Sequence, residues 1–67
     1  MSAGSTIKTL RNREGISQFE LSLESGVTQG MISLYETGKS DPRVAVFEKL
    51  LNAMGYELVV RKKRSEP

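Results

Sequence analysis

The 67-residue chain is long enough for one small domain and carries ten Lys and Arg, eight Asp and Glu, no cysteine and no histidine. That composition excludes disulfide staples, thiolate metal sites and His-based catalysis, so no metal and no cofactor is expected. The net charge of +2 misdescribes the body of the chain: Lys8, Arg11, Arg13, Lys39, Arg43 and Lys49 face seven acidic residues between Met1 and Val60, and the basic surplus lies in Arg61-Lys62-Lys63-Arg64.

A domain this small buries a modest share of its surface and is expected to be helped by a partner subunit. No apolar run approaches the roughly 20 residues of a membrane span, and no signal-peptide pattern opens the chain. The expectation is a cytoplasmic, nucleoid-associated protein with no membrane and no small-molecule ligand. Any grip on phosphate must come from a few placed groups rather than from general basicity.

Met1 to Gly4 is small and polar and is expected to fray. Ser5 or Thr6 can cap a first helix that runs to about Glu14, with Ile7 and Leu10 three apart on one face. Gly15 ends it, and Ile16 stands where a residue just past a helix end packs back onto it.

Ser17 followed three residues later by Glu20 is a capping box, which predicts a second helix from about Gln18 to Ser25. Leu21 is its core residue, Ser22 is small enough for close approach of a neighbour, and Phe19 and Leu23 share another face. Gly26 cuts this helix, and Thr28 caps a third that runs to about Glu36 with Met31, Ile32 and Tyr35 at spacings of three and four. Gly30 inside that helix costs up to about 1 kcal/mol against alanine, which marks it for a close approach. Two short helices joined by a tight glycine turn form a helix-turn-helix pattern, whose second helix enters a DNA major groove.

Gly38 and Asp41-Pro42 signal a loop. From Arg43 to Met54, Val44, Phe47, Leu51 and Met54 fall on one helical stripe widened by Val46 and Leu50, and Gly55 stops the helix. The period then changes to two: Tyr56, Leu58 and Val60 alternate with Glu57, Val59 and Arg61, a strand pattern. A lone strand leaves unpaired backbone groups, so two copies are expected to pair it antiparallel across a two-fold axis.

Leu10-Arg11, Gly15-Ile16-Ser17-Gln18, Gly26-Val27-Thr28-Gln29, the run from Ile32 to Lys39, Pro42 and the segment from Leu50 to Gly55 resemble, in fixed register, the phage-repressor and Cro type of helix-turn-helix. That is the large family of xenobiotic-response-element-like regulators. The resemblance implies a mainly α fold of four to five helices, to which the sequence adds one C-terminal β-strand pairing across a dimer. The domain then spans residues 5–55, the dimerising strand 56–61 and a basic tail 62–67.

The resemblance also implies roles. Gln29, Ser33 and Leu34 face base edges, with Gln29 suited to adenine and Leu34 to a thymine methyl. Gln18, Thr28, Thr37, Lys39, Ser40 and Arg43 contact phosphates. Arg11 and Glu36 form an ion pair tying the first helix to the third. Gly30 and Leu34 stand where relatives often carry polar groove-facing residues, which leaves more to phosphate grip and DNA shape. Phe19 and Leu23 also replace what are usually polar residues; they read either as scattered surface apolar groups or as a patch for a protein partner. Arg61 to Arg64 reads either as a solvated tail that keeps the strand edge soluble or as an arm that meets phosphate.

No nucleophile–base pair, metal-ligand cluster or phosphate-cradling loop can be assembled, so no enzyme is expected. The reading is a homodimeric repressor binding double-stranded DNA at a palindromic operator. The alternative is a protein-binding module: a short repressor-type domain followed by one apolar strand is similar to HipB-like antitoxins, which repress their own operon and bind a toxin protein.

Overall fold

The computed structural model describes residues 2–63. Its helices are α1 (Ala3–Glu14), α2 (Gln18–Ser25), α3 (Gln29–Glu36) and α4 (Val44–Ala53). Each presents one apolar face to a shared centre, and together they bury Ile7, Leu21, Ile32, Tyr35, Leu50, Leu51 and Met54. One core residue on α1, one on α2 and two on α3 close against three from α4 and its end. Full burial of a side chain of this kind contributes about 1.5–3 kcal/mol, and no helix this short holds alone in water.

α1 begins earlier than Ser5 or Thr6. Ser2 is the N-cap, its hydroxyl oxygen accepting from the Ser5 N–H at 3.1 Å while the Ser5 hydroxyl oxygen accepts from the Ser2 N–H at 3.0 Å. The domain's ordered start therefore precedes residue 5, and of the segment expected to fray, Ala3 and Gly4 lie inside the helix. Met1 lies outside the described residues. Gly4 is buried where α1 crosses the end of α3: a Cβ there would run into the Tyr35 carbonyl. At its other end α1 closes on Gly15, with the Ile16 N–H reaching back to the Arg11 carbonyl at 3.2 Å, and Ile16 packs against the core.

The α4 stripe is narrower than its sequence suggests. Val44 is 71 % exposed, because it is the first residue of α4 and lies beyond the packed centre. The face that does bury is Phe47, Leu50, Leu51 and Met54, the i, i+3, i+4, i+7 set of a core-facing helix, with Val46 packed beside it as expected. Gly55 turns the chain, and the Tyr56 N–H bonds to the Leu51 carbonyl at 2.9 Å.

Among the described residues there is no strand; Tyr56 to Lys63 follows α4 without a ladder. The period of two nevertheless persists in the burial of its first four residues. Tyr56 and Leu58 pack against the core while Glu57 and Val59 are exposed. The Tyr56 hydroxyl donates to Glu14 Oε2 at 2.8 Å, which ties this segment to the end of α1. Of the basic tail, Lys62 and Lys63 are exposed, and residues 64–67 lie outside the described part.

Candidate nucleic-acid interface

The site is built on α2, the turn after it, and α3. At the start of α2 the Ser17 hydroxyl oxygen accepts from the Glu20 N–H at 3.0 Å, and Glu20 Oε1 accepts from the Ser17 N–H at 2.9 Å. Both orphan donors at that helix end are thereby satisfied. At its finish Gly26 takes a φ of 76°, the left-handed conformation that costs a side-chain-free residue nothing. Buried Ser25 accepts from the Val27 N–H at 3.1 Å, and Val27 packs inward. The turn is thus only Gly26, Val27 and Thr28, which fixes the angle between α2 and α3.

Thr28 opens α3 by accepting from the Met31 N–H at 3.3 Å. Because its oxygen is the acceptor there, its own O–H can still donate outward. Gln29 and Gly30 follow, both exposed, then half-buried Ser33 and exposed Leu34 on the outer side. Ile32 and Tyr35 hold the inner side in the core. Neither α3 nor α4 carries an acidic residue in its first turn, so the positive end of each helix dipole is unopposed there.

The inner end of α3 is locked to α1. Arg11 Nε donates to Glu36 Oε2 at 2.8 Å and Nη2 donates to Oε1 at 2.9 Å, a two-pronged geometry, while Nη1 donates to the Ile16 carbonyl at 2.9 Å. The two side chains are 13 % and 4 % exposed. Burial alone pushes the Glu36 carboxyl upward. Hydrogen bonds from Arg11 and Gln18, with the charges of Arg11 and Lys8, outweigh that and hold it below its ordinary value. The Arg11 guanidinium is raised, chiefly by its hydrogen bond to Glu36.

Two expected phosphate ligands are placed differently from the rest. The Gln18 side-chain N–H donates to Glu36 Oε1 at 3.1 Å, so this side chain belongs first to the Arg11–Glu36 network. The Thr37 hydroxyl donates back to the Ser33 and Leu34 carbonyls at 3.0 and 3.2 Å. What it leaves outward is lone pairs, which a phosphate oxygen cannot use. Lys39 and Arg43 are exposed and Ser40 is half-buried. The Lys39 and Ser40 N–H groups both bond the Leu34 carbonyl, so the loop that carries these side chains is itself anchored to α3. Arg43 is the N-cap of α4 and makes no side-chain cap bond, which leaves its guanidinium available at that helix start.

The structure therefore brings Thr28, Gln29, Ser33 and Leu34 together on one helix, with Lys39, Ser40 and Arg43 in the loop that follows it. It also shows two positioning features that sequence reasoning missed. The Ser2–Ser5 box lacks the Glu that made Ser17–Glu20 legible, and Gly4 looks like any helix-end glycine until α3 is in place.

The helix-turn-helix family profile matches residues 7–60. The chain belongs to the helix-turn-helix family. Its members are DNA-binding transcriptional regulators. No curated protein and no solved structure matches the chain significantly. Among the described residues no cluster of His, Cys, Asp and Glu could hold a metal ion, and no helix is long and apolar enough to cross a membrane.

Proposed function

We propose that this helix-turn-helix protein is a sequence-specific repressor that binds double-stranded DNA as a homodimer on a palindromic operator. The observation that carries the reading is the division of α3. Its inner side and its Glu36 end are locked into the core and onto α1, while Thr28, Gln29, Ser33 and Leu34 stay at the surface. A helix held this rigidly can present hydrogen-bonding groups to base edges without an ordering cost at binding. Gln29 is the base reader, able to meet adenine N6 and N7 with both ends of its amide. Thr28, Lys39, Ser40 and Arg43 supply phosphate contacts, with Gln18 as a further one through the second N–H of its amide nitrogen, the first being given to Glu36.

The homodimer reading rests on Tyr56 to Arg61, a strand-patterned segment docked by Tyr56 and Leu58 to its own core. Pairing two such segments places two α3 helices about one helical turn of DNA apart. Selection of bound duplexes from a random pool tests the whole proposal. A palindromic half-site repeated at about 10 base pairs is the expected result; no enriched sequence would refute it.

A second reading, an antitoxin that also neutralises a toxin protein, is favoured by one observation. Phe19 and Leu23, one turn apart on the outer face of α2, are 56 % and 69 % exposed. Its test is genetic: expression of a neighbouring gene should arrest growth, and co-expression of this chain should relieve the arrest. Without such a neighbour this reading is lost, and the DNA-binding one stands.

A further inference from the structure

By the sequence period of two Val60 belongs on one side with Tyr56 and Leu58, yet it is 92 % exposed while those two pack against the core. Resting on the homodimer reading, we infer the register in which two copies pair: Val59 lies opposite Val59 of the second copy, on the two-fold axis. In antiparallel pairing, residues directly opposite each other share a face of the ribbon. A two-fold axis normal to the ribbon maps each face onto itself, so the numbers of paired residues must sum to an even value. A one-residue slip that broke this rule would turn every inward side chain outward.

Few registers remain, and their chemistry separates them. With Leu58 on the axis, Glu57 faces Val59. With Val60 on the axis, Val59 faces Arg61 and Leu58 faces Lys62, and no apolar pair forms beyond Val60 itself. With Val59 on the axis, Leu58 faces Val60 twice on the inward side, and Glu57 faces Arg61 twice on the outward side. Both side chains of the charged pair are exposed in the single chain and are available for it. This register also accounts for Val60. It extends past its own domain and comes to lie beside the partner's Leu58, over the partner's core. The interface therefore takes a second copy of this chain, matched by charge on one face and by apolar contact on the other.

The chain contains no cysteine, so single-cysteine variants report the register without background. Val59→Cys places two thiols directly opposite, within the roughly 4.4–6.8 Å Cα separation that a disulfide spans. In Val60→Cys the two thiols are offset by two residues along the ribbon, about 8 Å apart between Cα atoms, and are out of reach. Under mild oxidation Val59→Cys should become a covalent dimer and Val60→Cys should not. Glu57→Arg should raise the dimer dissociation constant about tenfold by setting arginine against Arg61 twice, and adding Arg61→Glu should restore it. Cross-linking of Val60→Cys, or a variant that sediments as a dimer and fails to cross-link at Val59→Cys, would overturn the register and leave the dimer standing. A chain that sediments as a monomer at all concentrations would overturn both.

Discussion

Arg11 and Glu36, 25 residues apart in sequence, meet through two parallel hydrogen bonds of 2.8 and 2.9 Å at the crossing of α1 and α3. The same two side chains make further bonds: Arg11 Nη1 donates to the Ile16 carbonyl and Glu36 Oε1 accepts from the Gln18 amide. A planar guanidinium matches a carboxylate in this way, and lysine could not reproduce it. The pair ties the end of α3 to α1, and through Gln18 to the start of α2. All three helices around the candidate interface therefore share one polar joint.

Removing one partner of that joint should cost far more than removing a surface charge. Arg11→Ala leaves Glu36 and the Ile16 carbonyl without their donor in a largely buried setting, and should lower stability by about 3 kcal/mol. Arg13→Ala, at an exposed position in the same turn, should change it by less than about 0.5 kcal/mol. Urea unfolding of the two variants makes the comparison. A joint replaced by matched apolar residues, Arg11→Met with Glu36→Leu, should regain part of the loss, because no charge is then left unpaired.

Acid should act through the same residue. The folded-state pKa of Glu36 lies below its ordinary value of 4.5, so folding favours the ionised form. The stabilisation is fully present above the ordinary value and is lost as the pH falls through the folded-state value. The stability gap between the natural chain and Glu36→Gln should therefore be largest near neutral pH and should shrink below about pH 4.5. Denaturant midpoints of both proteins across that range check it. A gap that stays constant into acid would show that Glu36 acts through its shape alone.

The features that were legible in the sequence are those set by neighbours along the chain. Ser17 and Glu20 lie within one turn, and Gly26 is needed where the backbone turns left-handed, so both helix boundaries of the binding element could be read directly. Features set by packing between helices could not. Gly4 matters only because the Tyr35 carbonyl lies against it, and Val44 is exposed only because α4 starts past the centre of the core. The hydroxyl of Thr37 was readable as a donor, but its turn back into α3 was not, since the competing acceptors are backbone carbonyls that every sequence has. The last segment is an intermediate case. Its period of two is written in Tyr56 to Arg61, whereas the described residues offer it no strand to pair with.

Base reading and phosphate grip should separate by mutation. Gln29→Ala should cost about 1–3 kcal/mol on the best operator and relax preference at one base pair of each half-site. Arg43→Ala should weaken all duplexes alike and reduce the slope of log affinity against log salt by about 1 for each subunit bound. Binding titrations over a panel of operator variants at several salt concentrations measure both effects. An unchanged ranking with Gln29→Ala would remove the base-reading role from that residue.

Gly4→Ala tests the α1–α3 contact against helix propensity. Alanine is the better helix former by up to about 1 kcal/mol, which alone would stabilise α1. Its Cβ would, however, meet the Tyr35 carbonyl, a backbone atom that cannot rotate away. Overpacking of this kind costs about 1–3 kcal/mol, so the net effect should be destabilising, and α3 should move with it. A lowered thermal midpoint together with weakened DNA binding is expected. A raised midpoint would mean that the crossing relaxes at little cost.

Gly30 presents the opposite balance. It lies in the first turn of α3, and a Cβ added there meets nothing within 4 Å in the free chain. Its φ is not in the left-handed region, so alanine fits without strain. Gly30→Ala should therefore raise the stability of the unbound domain, by about 0.5–1 kcal/mol. A residue that weakens its own helix and touches nothing in the chain is explained if the space above it is filled on binding. The recognition helix then needs its backbone close to the DNA at this point, and an added methyl group would hold it off. Gly30→Ala should thus be a more stable protein that binds its operator less tightly, a combination that no loss of folding can produce. Thermal unfolding and operator titration on the same preparation give both values. If the variant is more stable and binds equally well, the approach of DNA lies elsewhere along α3, nearer Ser33 and Leu34.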